Sequence, residues 1–246
     1  MVSGIAVRLV FLCWTLAVLP CMLCLAVLRP FCPRKLAPFS RRAIWFYGRG
    51  MLFWLRPWLP VHLRQGDLAV RFPASVMICN HQSFLDIYLL GAQAQANLCL
   101  VTKSWPFRRL FFFAPVMRCA GYIDVESLPV EQAEALCLQR LEEGATLVFF
   151  PEGRRTRTGA LGKFRSGAFR VAVRAGCPVL PLLIRNSFQV APPGGRGIFP
   201  APVHMEFLSP VQPGDFSGEN LPHRAMMRFA RAQYARCLES LQESDT

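Results

Sequence analysis

The chain has 246 residues, 53% of them hydrophobic and only 17% charged, with 28 Lys and Arg against 15 Asp and Glu for a net charge of +13. So apolar a composition excludes a disordered polyelectrolyte. A positive mean hydropathy of +0.30 sets the chain apart from the soluble nucleic-acid binders that its pI of 9.9 would otherwise suggest. Basic and apolar together suit a protein lying against an anionic membrane, and the length leaves room for an anchor plus one domain of roughly 150–200 residues.

No acid precedes Asp67, whereas the first 66 residues hold nine bases: Arg8, Arg29, Arg34, Lys35, Arg41, Arg42, Arg49, Arg56 and Arg64. Residues 154–174 add seven more and again no acid, so everything else sums to −3. From Leu9 to Leu28 there are twenty uncharged residues, and a helix rising about 1.5 Å per residue just crosses a ~30 Å hydrocarbon core at that length. The cations on its C-terminal flank place that side in the cytoplasm. The expectation is a single-pass protein of the cytoplasmic membrane, with residues 1–60 as anchor and 61–246 as a domain facing the cytoplasm. A cleaved signal peptide fits less well, because the apolar run is long and Leu28-Arg29-Pro30 offers no small-residue cleavage site. A second apolar stretch, Ala43 to Pro60, mixes Trp45, Phe46, Tyr47, Phe53, Trp54 and Trp58 with Arg49 and Arg56. It reads as a helix in the headgroup layer or as one packed on the domain's core.

Of the ten cysteines, Cys13, Cys21 and Cys24 fall in the anchor and Cys79, Cys99, Cys137 and Cys177 in apolar runs, positions for small hydrophobes and reduced thiols. Cys21 and Cys24 have metal-pair spacing but no second pair or nearby His, so no metal is expected.

Beyond residue 66, short apolar runs alternate with helical patterns. This is the signature of an α/β fold with a central, mostly parallel sheet flanked by helices, here carrying an N-terminal transmembrane or interfacial helical anchor. Expected strands are Leu68–Phe72, Ser75–Cys79, Leu98–Val101, Gly121–Val125, Thr146–Phe150, Val179–Ile184 and Val203–Leu208. The clearest helices run from Pro129 to a stop at Gly144 and from about Leu221 to Leu241, and Ala191–Gly197 reads as a loop.

Two polar clusters directly follow strands, where open α/β sheets place their ligand sites. The first is Asn80-His81-Gln82-Ser83-Phe84-Leu85-Asp86. On one continuous helix His81 and Asp86 would not face each other. With Ser83 as N-cap, His81 lies in the preceding turn and can fold back onto Asp86, which would orient it as a general base. Ser83 to Asp86 also fits a plain capping box. The second cluster is Phe150-Pro-Glu-Gly-Arg-Arg-Thr-Arg157, which presents arginine forks suited to phosphate oxygens, or else a solvated basic loop.

In this order and at this separation the two clusters resemble the glycerolipid and lysophospholipid acyltransferase family related to 1-acylglycerol-3-phosphate acyltransferase, over about Leu68 to Leu208. His81 and Asp86 match its HX4D motif, and Phe150-Pro151-Glu152-Gly153 with Arg155 matches its FPEGTRS motif. Val179-Leu-Pro181 resembles a further motif that borders the acyl site. The resemblance implies His81 as catalytic base with Asp86 orienting it, and Glu152, Gly153, Arg154 and Arg155 as acceptor-binding residues. Val125 stands where many members place an arginine after Ile-Asp, a departure that Arg154 or Arg118 could offset and that puts the acceptor's head group in doubt.

The implied enzyme is a membrane-anchored O-acyltransferase with no bound cofactor. It would take its acyl group from acyl-CoA or acyl carrier protein and pass it to a lysolipid such as 1-acyl-sn-glycerol-3-phosphate. No Gly-x-Ser-x-Gly elbow is present, which favours direct transfer over an acyl-enzyme. A non-glycerophosphate acceptor, a thioester or ester hydrolase on the same site, and a non-enzymatic lipid-binding scaffold stay open. Membrane lipids are expected partners and nucleic acid is not.

Overall fold

The computed structural model describes residues 4–28, 30–31, 33–110, 113–194 and 197–244. Arg29 of the expected flank and residues 195 and 196 of the expected loop lie outside the described residues. In chain order the elements begin with α1 (Gly4–Leu28), α2 (Pro33–Leu55), β1 (Val61–Arg64), α3 (Leu68–Arg71), β2 (Val76–Cys79), α4 (Asp86–Leu89) and β3 (Leu98–Thr102). There follow α5 (Trp105–Arg109), α6 (Ala114–Cys119), β4 (Ile123–Asp124), α7 (Val130–Glu142), β5 (Thr146–Phe149) and α8 (Gly167–Ala175). The chain continues through β6 (Val179–Arg185), α9 (Ser187–Val190), β7 (Val203–Phe207) and α10 (Pro222–Ser244).

The seven strands form one sheet in the order β1-β7-β6-β2-β5-β3-β4. Every pairing is parallel except β6 with β7, so the sheet is mixed but mostly parallel. Its central strands β2, β5 and β6 are nearly continuous apolar runs, as expected where both faces are covered by helices. One face packs against α1 and α2 through residues such as Met51, Leu55, Met77 and Leu180. The other packs against α7, α8 and α10 through Cys137, Phe169, Leu147 and Met226.

Two expectations fail locally. Leu68–Phe72 is not a strand but the short helix α3, whose entry is shaped by Asp67: its carbonyl accepts from Val70 N and Arg71 N, and its carboxylate lies 3.9 Å from Arg71. The edge strand is instead β1, whose Val-His-Leu-Arg alternation pairs Val61 with Val203. Ser83 is not an N-cap either. Helix α4 begins at Asp86 after Leu85, and Ser83 Oγ donates to Ala191 O at 2.8 Å while accepting from Leu85 N.

The N-terminal helices are built into the molecule. Trp14 Nε1 donates to Tyr47 O at 2.8 Å, Phe11 meets Tyr88 edge-on at 5.2 Å, and the Cys119 thiol donates to Leu25 O. Arg41, 1% exposed, fastens α2 to the sheet's end by donating to Ala120 O at 2.8 Å and Asn97 Oδ1 at 3.1 Å, with Glu143 at 3.5 Å. The core-packed reading of the second apolar stretch holds for one side of α2, and the other side is left exposed. Tyr47, Met51, Leu52 and Leu55 face the core, each contributing about 1.5–3 kcal/mol if fully buried, while Phe46, Phe53 and Trp54 face outward.

The outward side of α2 carries a regular stripe. Lys35, Phe39, Arg42, Phe46, Arg49, Phe53 and Arg56 are all exposed and follow one another at alternating steps of four and three residues. That spacing sets them in one line along the helix. Alongside it α1 exposes Ile5, Leu9, Leu12, Leu16, Leu23 and Val27, and Ile5–Leu28 is apolar and long enough, at 24 residues, to cross a membrane.

Candidate active site

The strand order brings the two polar clusters together. β2 and β5 are neighbours in register, with Ile78 opposite Phe149, so the chain leaving β2 at Asn80 runs beside the chain leaving β5 at Phe150. On the other flank Asn80 fixes the end of β2 to β6, its side-chain amide both donating to Ile184 O and accepting from Ile184 N at 2.7 Å.

His81 folds back as its position before the helix requires. Its Nδ1 lies 2.8 Å from Asp86 Oδ2, and the same oxygen accepts from Gln82 N at 2.7 Å and Ser83 N at 2.8 Å. Asp86 is fully buried. A carboxylate oxygen already accepting two backbone N–H bonds must also be the acceptor toward the ring, so Nδ1 carries the proton and Nε2 is left with its lone pair. The imidazole is 16% exposed and stacks on Phe150 with centroids 4.2 Å apart.

Glu152 is a scaffold for both clusters. Its Oε1 accepts from His81 N at 2.9 Å and its Oε2 from Gly162 N at 3.0 Å. Burial pushes its carboxyl above the usual carboxylate range, opposed by those two bonds. Gly162 is needed for this approach, since a Cβ there would lie 2.5 Å from Glu152 Oε2. Thr156 N donates to His81 O at 2.9 Å and Gln82 Nε2 to Gly159 O at 3.0 Å, so the arginine loop is hydrogen-bonded directly to the histidine segment. Gly153 supplies the left-handed turn, φ +68°, that turns the loop away from the sheet.

These residues border a cleft of about 1040 Å³ that contains His81, Gly153, Arg154 and Arg155 in its lining. Of the expected site residues, Asp86 and Glu152 are not in the lining and act from behind it. Arg118 is not there either: its guanidinium lies over the Phe107 ring at 5.8 Å, so of the two cations that could offset Val125 it is Arg154 that faces the cleft. Arg170 and Arg174 are ion-paired with Glu134, so part of the basic run is structural.

Sequence reasoning missed several lining groups. Lys103 stands at the end of β3, a position the strand-end rule could have flagged, and pairs with Glu126 at 3.4 Å. Val125 lines the cleft beside them. Asp124 is occupied nearby: burial would raise it, but bonds from Ser104 Oγ and from Glu126 and Ser127 outweigh this and hold it below its usual value. Arg165 and Arg224 also face the cleft, the latter from α10, and no local pattern announced it.

Residues 61–185, half of the chain, match the family model described as acyltransferase. The chain belongs to the acyltransferase family. It is 35% identical over 130 residues to the chloroplastic 1-acyl-sn-glycerol-3-phosphate acyltransferase BAT2 of Brassica napus, covering 50% of this chain and 36% of that protein. It is 40% identical over 133 residues to the 1-acyl-sn-glycerol-3-phosphate acyltransferase of Pseudomonas aeruginosa, covering 53% of this chain and 51% of that one. The chain thus spans between about a third and a half of the length of these relatives. The crystal structure of the 1-acyl-sn-glycerophosphate acyltransferase of Thermotoga maritima superposes with a TM-score of 0.72 at 21% identity over 98% of this chain and 97% of that one, so the two share a fold.

Proposed function

We propose that the protein is a membrane-associated O-acyltransferase that moves a fatty acyl group from a thioester donor to the hydroxyl of a lysophospholipid of the 1-acyl-sn-glycerol 3-phosphate class. The observation that carries this is the His81–Asp86 pair, which leaves Nε2 free beside a cleft rimmed by arginines. A hydroxyl attacks a thioester poorly unless a base takes its proton as the bond forms. His81 Nε2 takes that proton while the acceptor oxygen bonds to the thioester carbon. Asp86 stabilises the imidazolium, and collapse breaks the C–S bond and returns the proton to the departing thiolate. Arg154, Arg155 and Lys103 are placed to hold the acceptor's phosphate.

Replacing His81 by Ala should lower kcat on the order of 10³-fold, measured as acyl transfer to 1-acyl-sn-glycerol 3-phosphate. Wild-type rates in the variant would sink the mechanism. Fatty acid released at an unchanged rate without acceptor would make the protein a hydrolase.

Membrane attachment is assigned to α1 and the outward stripe of α2, with the basic flank keeping the catalytic domain on the cytoplasmic side. A single crossing by α1 is one reading. A second is favoured by α2: Trp14 meets Tyr47 while Leu25 meets Cys119 near the Arg41 end, so α1 and α2 run antiparallel. Because α2 exposes a cation at every second turn along its length, both helices would then lie in the plane of the headgroups. Protease access to an N-terminal tag from the outer face supports the crossing, and access only from the cytoplasmic face supports the in-plane arrangement.

A further inference from the structure

We propose that Glu126 sets which acceptor phosphates the cleft takes: by holding Lys103 it reduces the advantage of a doubly charged monoester, so the site also serves lysophospholipids whose phosphate is a singly charged diester. This rests on the proposed acyl transfer and concerns its acceptor. Lys103 Nζ lies 3.4 Å from Glu126 Oε1, and both residues line the cleft.

The pair has a fixed place. β3 and β4 run parallel with Thr102 opposite Asp124, which brings Lys103 and Ser104 beside the turn that follows β4. Ser104 N donates to Glu126 Oε2 at 3.1 Å, and Ser104 Oγ donates to Asp124 Oδ1 at 2.8 Å. Glu126 N in turn donates to Asp124 Oδ1 at 3.1 Å. The carboxylate is thus held at Lys103 both through its own turn and by the neighbouring strand.

β3 lies between β5 and β4 in the sheet, so the arginine loop and this turn flank its end on either side. The two flanks differ in charge. Among the described residues Arg154, Arg155, Arg157 and Arg165 of the lining have no ion pair, whereas the acids of the lining, Glu126 and Glu134, are both paired. On the β4 flank Lys103 is therefore neutralised, and Trp105, Val125 and Val130 form an exposed apolar rim. A phosphate engages Lys103 only by displacing Glu126, which then stands unpaired beside it. Repulsion from that carboxylate grows with the phosphate's charge, so a dianion loses more than a monoanion. A diester also carries a head-group substituent, and a cleft of about 1040 Å³ has volume for it beside that rim. Both partners of the ion pair are nearly half exposed, at 42% and 47%, so the discrimination is a matter of a few-fold.

The test measures acyl transfer from one thioester donor to 1-acyl-sn-glycerol 3-phosphate and to 1-acyl-sn-glycero-3-phosphoglycerol in detergent micelles. Wild type should use the two with kcat/KM values within about tenfold of each other. Glu126→Gln keeps an oxygen for Ser104 N and removes the charge. At about pH 7.5, above the monoester's second pKa near 6, this variant should lower the KM for the monoester about threefold and that for the diester less than about twofold. At about pH 5.5 the monoester is mostly singly charged, and the two acceptors should respond alike. Glu126→Asp, which keeps the charge, should stay close to wild type at both. A KM that rises for both acceptors in Glu126→Gln would make the residue a brace of the turn and overturn the proposal. So would equal changes at the two pH values, no change, or a wild type at least about 100-fold poorer on the diester. A wild type that transfers to neither acceptor would overturn the proposed function itself.

Discussion

The molecule carries two lines of arginine that differ in what lies between the charges. On α2 Lys35, Arg42 and Arg49 are each followed, one turn on, by an exposed phenylalanine, and the helix beside it is apolar apart from Arg8 near its start. On α10 Arg224, Arg228 and Arg231 follow one another with one exposed ring among them, Phe229, which packs against Phe216. Cations interleaved with rings suit a headgroup layer, where the ring enters the acyl region and the guanidinium meets phosphate. The net charge is therefore carried on two surfaces of different make, on opposite faces of one sheet.

The largest expected effect follows from reversing the first line. Each Lys or Arg near an anionic surface contributes about 1 kcal/mol. Arg42→Glu/Arg49→Glu/Arg56→Glu should therefore weaken partitioning onto phosphatidylglycerol vesicles by at least about 100-fold. Co-sedimentation measures this, and the KM for donor in detergent should stay near the wild-type value. Unchanged vesicle binding would erase the distinction between the two lines.

A smaller effect separates the cations of the cleft from those outside it. Arg155 lines the cleft next to Gly153, and loss of one charge-assisted hydrogen bond costs about 1.5–3 kcal/mol. Arg155→Ala should raise the KM for the lysophospholipid about tenfold or more, with a smaller loss of kcat. If the KM for the acyl donor moves instead, Arg155 belongs to the donor's side of the cleft.

Much of this was legible along the chain, for physical reasons. The central strands read clearly because burial on both faces makes them continuous apolar runs, and the strand-end rule pointed at His81 and Glu152. The pairing of His81 with Asp86 was half legible: spacing lets the histidine fold back, but the turn is held by backbone N–H groups of Gln82 and Ser83 on the carboxylate, not by a serine cap. Glu152 was read as an acceptor ligand by resemblance, and the geometry supports a different task, fastening the histidine segment to Gly162. Long-range assembly was out of reach. Nothing near Arg224 or Lys103 indicates that β3 and α10 converge on one cleft, and β1 was hidden because four alternating residues after a proline resemble a loop.

The smallest effect tests where the second line ends. Glu134, 8% exposed on α7, holds Arg170 and Arg174 of α8, with Arg174 Nη1 at 2.5 Å. Both arginines are roughly half exposed, so the pairs contribute only about 1 kcal/mol. Glu134→Gln should therefore lower Tm by roughly 2–4 °C, seen by differential scanning calorimetry. It also frees two cations next to the cleft. If they are only structural, the KM for the acyl donor stays where it was. A drop in KM for the acyl donor would instead place Arg170 and Arg174 among the groups that hold it, since the acid that now neutralises them would then be tuning the field of the cleft.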